Sequence, residues 1–96
     1  MAREPRLDFD WDASNLRHLA SHRISHSEFE QAMMNGPVLV DFSDESGEER
    51  WYALGATDSL RVLFLVFNYR GESVRPITGW DASKKLREAY FRRKGE

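Results

Sequence analysis

Apolar and polar residues alternate at the start of the chain. Leu7, Phe9 and Trp11 are apolar, and the two residues between them are aspartates. A period of two is typical of a strand, because successive side chains of a strand point to opposite faces. The pattern therefore predicts a short strand over residues 7–11 that presents these three apolar side chains on one face.

Two helices are predicted next from the residues that start them. Asp12 is a good N-cap, and the helix that it starts is expected to run to about His22. Ser25 and Glu28 form a capping box, in which each side chain can bond to a backbone N–H group left free at the helix start. This second helix is expected to end at residues 35–37, and its core-facing residues are Phe29, Ala32 and Met33.

Four strands are predicted after this helix, separated by short turns. They are Val38–Phe42, Arg50–Gly55, Arg61–Tyr69 and Ser73–Thr78, with a polar, acidic turn over residues 43–48. The third strand is apolar almost throughout, which indicates a central position in the sheet. Short links between successive strands favour an antiparallel meander.

A last helix is predicted to start at Asp81 as its N-cap, and its inward-facing residues are Ala82, Leu86, Ala89 and Tyr90. The complete order is β-α-α-β-β-β-β-α. We therefore expect an α+β fold, in which two N-terminal helices and one C-terminal helix pack on one face of an antiparallel β-meander sheet. The 96 residues are expected to form a single domain over residues 1–96, with flexible ends at 1–6 and 94–96.

The composition excludes several classes of protein. The longest apolar run, residues 62–67, is far shorter than the roughly 18 residues that a membrane-spanning helix needs. The chain has no cysteine, which excludes a disulfide scaffold and a thiol nucleophile. Its first residues lack the apolar region of a signal peptide. These features predict a cytoplasmic protein that does not associate with membranes.

The charge is distributed unevenly along the chain. The formal net charge is −2, but residues 1–60 carry −7 and residues 61–96 carry +5. A basic segment of this kind favours a polyanion or an acidic protein as the partner of the second half. Basic helix ends and surfaces without any ligand are the alternative that charge alone leaves open.

Basic side chains on the strands and on the last helix are the candidates for chemistry. Strand arginines usually lie on a solvent-facing sheet surface, and several on one concave face would bind phosphates through the guanidinium fork. Cleavage of RNA without a metal needs little more. The 2′-hydroxyl must lose a proton, the pentavalent phosphate needs cations, and the leaving 5′-oxygen must gain a proton. The candidates are Arg50, Arg61, Arg75, Lys84 and Arg87.

Three histidines raise the question of a metal site. His18, His22 and His26 are four residues apart, a spacing that would align three imidazoles on one uninterrupted helix. Ser25 starts a new helix, so His26 is expected to leave this line, and histidines packed around a helical turn are the favoured interpretation. No metal and no cofactor is expected. Nucleophile motifs and glycine-rich phosphate loops are also missing from the sequence.

One family resemblance runs along nearly the whole sequence. Residues 75–90, RPITGWDASKKLREAY, resemble the C-terminal signature of the BrnT family, an arginine-started strand and a small-residue turn that lead into a basic helix. Other segments resemble the family in the same order, so that the resemblance covers about residues 8–92. These segments are residues 10–12, 15–24, 25–28, 49–55 and 61–63. The chain departs from the pattern at Trp80, where members often have arginine, and at Leu86, where they often have glutamate.

This resemblance implies the ribonuclease toxin of a bacterial type II toxin–antitoxin pair, with a RelE-like fold. It implies RNA as substrate and a DNA-binding antitoxin protein as partner, and it leaves the oligomeric state open. Five basic residues match basic positions of the family pattern. With the chemistry given above, the predicted catalytic residues are Arg50, Arg61, Arg75 and Lys84. The predicted substrate-binding residues are Arg87, Trp80 and His22.

A non-catalytic RNA- or protein-binding module on the same fold is the alternative hypothesis. It is motivated by Trp80 in place of an arginine and by a pI of 5.9, which is low for an RNA-cutting toxin. Trp80 or Trp51 would then supply a stacking or anchoring surface. RNA cleavage and growth arrest that depend on Arg75 would distinguish the toxin from the module.

Overall fold

The computed structural model describes residues 7–95, which form three α-helices and four β-strands. The expected flexible end at residues 1–6 lies outside the described residues, as does Glu96. Lys94 belongs to the last helix, and its Nζ donates to the Gly36 carbonyl at 2.8 Å. No described helix is long and apolar enough to cross a membrane. The elements are α1 Ala13–Ala20, α2 His26–Met34, β1 Val38–Ser43, β2 Arg50–Ala56, β3 Val62–Arg70, β4 Ser73–Asp81 and α3 Lys84–Lys94.

The four strands form one antiparallel sheet in the order β1-β2-β3-β4. The predicted meander is confirmed, and β3 lies in the interior of the sheet, as its apolar sequence indicates. A short 3₁₀ turn, Glu45–Gly47, occupies the acidic link between β1 and β2. Two bulges shift the register, one between Leu39 and Asp41 and one between Val66 and Phe67. Each bulge changes which side chains share a face of the sheet.

The helices cover both faces of the sheet, so the expectation of helices on one face is wrong. Ala53 packs in a core cluster with residues of α1 and α2, whereas its neighbour Leu54 packs with Tyr90 of α3. Adjacent strand residues point to opposite faces, so α3 lies across the sheet from the other two helices. Gly55 lies on the α2 face, where a Cβ atom would be 2.6 Å from the Ala32 carbonyl oxygen. The absence of a side chain at Gly55 therefore allows the backbones of α2 and β2 to come into direct contact.

The first two helices begin where the sequence places their caps. Asp12 and Ser25 are the N-caps, and both form capping boxes, with Asn15 and Glu28 respectively. α1 ends at Ala20, two residues earlier than predicted, because Arg23 adopts a left-handed conformation with φ of 60°. The N–H groups of residues 23 and 24 then bond back to the carbonyls of residues 20 and 19, which closes the helix end.

The predicted N-terminal strand is reduced to a single bridge. Phe9 pairs in parallel with Val74, through bonds from the Asp10 N–H to the Val74 carbonyl and from the Val74 N–H to the Asp8 carbonyl, both 2.8 Å. The pairing cannot continue, because α1 follows almost at once. Phe9 and Trp11 still pack against the core, as the alternation predicts. The segment therefore covers the outer edge of β4.

The start of α3 differs from the prediction. β4 continues to Asp81, three residues beyond its predicted end, and the N-cap is Ser83, whose side chain accepts from the Leu86 N–H. Asp81 bonds to Arg61 instead. Gly79 lies inside the strand rather than at a turn, and a Cβ there would meet Leu19 at 3.3 Å. Its small size allows α1 to pack closely on β4.

Candidate functional site

A cleft of about 200 Å³ opens between α1, the start of β2 and the middle of β4. Two of the predicted site residues, Arg50 and Arg75, lie in its wall. They come from strands that are separated by β3, and α1 closes the third side. The complete lining is Asp12, Ser14, Asn15, His18, Glu48, Arg50, Arg75, Pro76 and Ile77.

Strand geometry places the two arginines on the same face of the sheet. Trp51 and Val74 pack with the core cluster that contains α1 and α2. Arg50 precedes Trp51 and Arg75 follows Val74, so both arginines leave the sheet on the face opposite that core. Their side chains nevertheless line the same cleft as the α1 residues. The bulge after Val66 sets Arg75 directly opposite Asn68 of β3.

Two buried polar atoms in this region have no hydrogen-bond partner. They are Nε of Arg75 and Oδ1 of Asn68, on residues that face each other across β3 and β4. A buried polar atom left unsatisfied costs about 1–3 kcal/mol, so such atoms are rare in folded proteins. Nε1 of Trp51, on the other face of the sheet, is a third such atom. Arg75 lines the cleft and Asn68 does not, so the guanidinium of Arg75 is the member of this pair that a ligand in the cleft can reach.

Two acidic side chains in the cleft oppose the positive charge of the arginines. The Asn15 backbone N–H bonds to Asp12 and lowers the pKa of that carboxyl, to which the nearby charge of Arg75 also contributes. Glu48 lies 3.6 Å from Arg50 in an ion pair whose two side chains are about half exposed. Asp12 is thus held as a helix cap, whereas Glu48 forms only a weak, solvated contact that an anion could displace.

His18 is the one imidazole in the cleft lining. It lies three residues after Asn15 on α1, and side chains at this spacing share a helix side. Asn15 is buried at the base, with its Nδ2 donating to the Asp10 carbonyl at 3.2 Å. The packing of α1 against β4 therefore directs His18 towards the cleft.

Arg61 lies at the other end of the sheet and is already paired. Its guanidinium bonds to Asp81 at 2.7 Å, to Glu28 at 3.1 Å and to the Arg23 carbonyl at 2.8 Å. The hydrogen bond to Asp81 raises the pKa of Arg61, and the same bond lowers the pKa of Asp81. Arg61 thus ties α2 and the α1–α2 turn to strands β3 and β4.

An aromatic pair lies beside this ion-pair cluster. The Trp80 ring stacks on Phe64 with centroids 5.1 Å apart and planes 6° from parallel. The His22 ring is 6.1 Å from Trp80. Trp80 remains 38% exposed, so part of its indole face is open to a ligand. The structure brings together these two predicted substrate-binding residues.

The predicted site residues therefore fall into two groups rather than one. Arg75 and Arg61, both predicted to be catalytic, do not meet. The antiparallel register sets Arg75 opposite Asn68, and Arg61 bonds to Asp81. Lys84 and Arg87 are predicted site residues like Arg75, yet neither lines its cleft. Because α3 starts beyond the end of β4, these two cations lie near Asp81, and the charge of Arg87 contributes to its lowered pKa.

The bulge explains a further misassignment on β4. Strict alternation predicts Val74, Pro76 and Thr78 on one face, but Thr78 pairs with Val66 and faces the α3 side. Val74 and Pro76 keep the α1 side, where both are fully buried. Arg75 thus has the predicted orientation relative to Val74 although the strand is irregular.

Sequence reasoning did not select two residues of this region as site residues. His18 lines the cleft, but it was considered only as one of three metal ligands. Asn68 was missed, although a polar residue that ends an apolar strand is a usable signal. Among residues 7–95, no three side chains of the His, Asp and Glu types come together in a way that could hold a metal ion.

The fold and the cleft define a class of protein: a small α+β domain with an arginine-lined cleft on an antiparallel sheet. A family model narrows the class. The model for the ribonuclease toxin BrnT of type II toxin–antitoxin systems matches residues 11–85, which include Arg50, Asn68 and Arg75. The chain belongs to this family, whose members act with an antitoxin protein. No curated protein matches the sequence.

Proposed function

We propose that the chain is a toxin that cleaves RNA by attack of a 2′-hydroxyl on the adjacent phosphate, without a metal. The observation that carries the proposal is the convergence of Arg50 and Arg75 on one cleft, where Nε of Arg75 is buried without a partner. A phosphate suits two guanidinium groups, because its oxygens can accept a pair of N–H bonds from each of them. The family supports RNA as the source of that phosphate.

The two arginines stabilise the charge that develops during cleavage. The 2′-oxygen forms a bond to phosphorus and the bond to the 5′-oxygen breaks, leaving a 2′,3′-cyclic phosphate and a 5′-hydroxyl. The pentavalent phosphate between these states carries extra negative charge. Fixed donors around it lower the barrier, because they need not reorganise when the charge appears. Arg75 is the principal donor, and Arg50 becomes one when substrate displaces Glu48.

His18 is the proton-transfer group of this proposal. Imidazole is the side chain most often used to take and give protons near neutral pH. It lines the same cleft as the arginines and lies on a helix fixed by the buried Asn15. His18 takes the proton of the 2′-hydroxyl, and water gives a proton to the leaving 5′-oxygen.

The second group of predicted residues binds the flanking RNA. Trp80 offers an exposed indole face, on which a base of a single strand can stack. Lys84 and Arg87 lie near it at the start of α3 and can contact backbone phosphates. Arg61 acts as a positioning residue here, because its donors are used by Asp81 and Glu28.

The test is cleavage of a labelled single-stranded RNA by the purified chain in EDTA. We expect cyclic phosphate ends on the products, and growth arrest when the chain is expressed without its antitoxin. The His18→Ala variant should cleave far more slowly, whereas His26→Ala, a histidine outside the cleft, should match the wild type. Intact RNA under all conditions, or cleavage only with an added divalent metal, would contradict the proposal.

A non-catalytic RNA-binding module is the second candidate, and the stacked Trp80–Phe64 pair favours it. An exposed tryptophan at the place of a family arginine can hold a base without contributing to cleavage. The two functions predict different effects of Trp80→Ala. In a module it abolishes RNA binding and no cleavage exists, whereas in the toxin it weakens binding while cleavage at saturating RNA persists.

A further inference from the structure

A second surface of the molecule is apolar and lies away from the cleft. On the α2 side of the sheet, a groove of about 310 Å³ leaves Leu39 and Tyr69 exposed by 55% and 50%. Phe42, beside the groove, is 42% exposed. Phe42 packs against Trp51 at the groove margin, with centroids 4.5 Å apart and ring planes inclined by 52°. The groove lining is Leu7, Met33, Pro37, Leu39, Trp51, Ala53, Phe67, Tyr69 and Val74.

The edge strand β1 borders this groove. It is the terminal strand of the sheet, and within residues 7–95 no other strand pairs with its outer edge. The opposite edge, on β4, is bridged by Phe9. The bulge after Leu39 places Leu39 and Phe42 on the same face, although they are three residues apart, because they pair with Ala53 and Trp51. An edge strand with exposed apolar residues is a template for an added strand.

Acidic residues on β1 and in the turn that follows it indicate the charge of a segment that binds along this edge. From Val38 to Glu49 the chain has five acidic residues and no basic one. We call this set, Asp41, Asp44, Glu45, Glu48 and Glu49, the acidic rim. A second copy of the chain paired through β1 would bring two acidic rims to one interface, and like charges oppose such an association. A basic partner is attracted instead.

We propose that β1 and this groove bind an extended segment of the antitoxin, in which apolar residues alternate with basic ones. Every second side chain enters the groove beside Leu39 and Phe42, while the basic residues face the acidic rim. The segment runs along the free edge of β1, where main-chain hydrogen bonds add to the apolar contacts. This inference rests on the proposed toxin function only in taking the antitoxin as the partner.

The experiment uses the purified product of the reading frame next to the gene, as the candidate antitoxin, and measures its binding to variants of the chain. Leu39→Lys places a charge in the groove, and we expect it to weaken the affinity about tenfold or more. The matched control is Leu60→Lys, the same change at an exposed leucine outside the groove. The double variant Asp44→Lys/Glu49→Lys should bind the antitoxin more weakly, and its affinity should depend less on salt. Glu72→Lys, at the β3–β4 turn, should leave both the affinity and its salt dependence unchanged.

Amide hydrogen exchange then locates the bound segment. We expect the antitoxin to protect the β1 amides, and Leu39→Lys to cleave RNA normally while escaping inhibition by the antitoxin. Three results would overturn the proposal. They are an equal affinity of Leu39→Lys and Leu60→Lys for the antitoxin, no antitoxin binding by any variant, and a dimer of the chain that Leu39→Lys dissociates. RNA cleavage is measured without antitoxin, so failure of the proposed ribonuclease function appears separately.

Discussion

Arg75 and Asn68 lie opposite each other on β4 and β3, and each holds a buried polar atom without a hydrogen-bond partner. Their pairing depends on the bulge between Val66 and Phe67, which shifts the register of β4 by one residue. A buried donor and a buried acceptor that are both unsatisfied cost stability. This cost is understandable at a site that a ligand completes.

Replacing Arg75 should separate activity from stability. Arg75→Ala removes the principal donor to the scissile phosphate, and loss of one such donor typically costs about 2.7–4 kcal/mol of transition-state stabilisation. Cleavage should therefore fall about 100- to 1,000-fold. The free energy of unfolding should change by less than about 1 kcal/mol, because Nε of Arg75 has no partner to lose.

Single-turnover cleavage and urea denaturation measure the two effects of Arg75→Ala. Arg92→Ala is the control, since it removes an exposed arginine from the last turn of α3, outside the cleft. If Arg75 only solvates the sheet surface, both variants will cleave RNA at the wild-type rate.

Removing the partner of Arg50 should strengthen RNA binding. Glu48→Gln removes a negative charge from the cleft and frees Arg50, whose ion pair with Glu48 spans 3.6 Å. An exposed pair of this kind is worth about 0.2–1 kcal/mol, so the RNA affinity should rise by at most about fivefold. Fluorescence anisotropy with labelled RNA measures it, with Glu72→Gln as the control. An unchanged or weaker affinity would show that Arg50 does not contact the RNA.

The Arg61 cluster should contribute to stability more than to chemistry. Arg61→Ala leaves Glu28 and Asp81 without their shared cation, and a hydrogen bond to a charged group contributes about 1.5–3 kcal/mol. We expect the free energy of unfolding to fall by about 2 kcal/mol in urea denaturation. Arg61→Lys should restore only part of it, since one ammonium cannot reproduce the bonds of the guanidinium. Unchanged stability of Arg61→Ala would refute this role.

The same cluster predicts how stability depends on pH. The Arg61 hydrogen bond lowers the pKa of Asp81 below its ordinary 3.8, and the Ser25 backbone N–H followed by Arg61 lowers that of Glu28 below 4.5. Groups with depressed folded-state pKa values stabilise the fold above those ordinary values, and this contribution is lost as the pH falls through the lowered ones.

The contribution of Asp81 and Glu28 to the free energy of unfolding should therefore be constant from pH 6 to 5 and should decline below pH 4.5. Thermal melts at a series of pH values test this. Asp81→Asn should reduce the size of the decline, because one of the two titrating partners is gone. A decline of the same size in Asp81→Asn and wild type would show that other carboxylates cause it.

The sequence by itself determined where the first two helices begin and which strand lies inside the sheet. Asp12 and Ser25 cap their helices because their side chains bond to backbone groups three residues further along the chain. Such local bonds do not depend on how the rest of the chain folds. The sequence of β3 is apolar on both faces, and such a strand is stable only where both of its faces are covered. This is why β3 lies in the interior of the sheet. The order of motifs was also sufficient to indicate the family.

The tertiary structure alone decided which distant residues meet. α3 lies on the face opposite α1 and α2 because Tyr90 packs beside Leu54 and Ala56, a choice that its own amphipathic pattern does not encode. The antiparallel register and one bulge set Arg75 opposite Asn68, and the same register brings Asp81 within reach of Arg61, with which it forms an ion pair. Such contacts join residues that are far apart in the chain, so they depend on register and packing over the whole sheet rather than on local sequence.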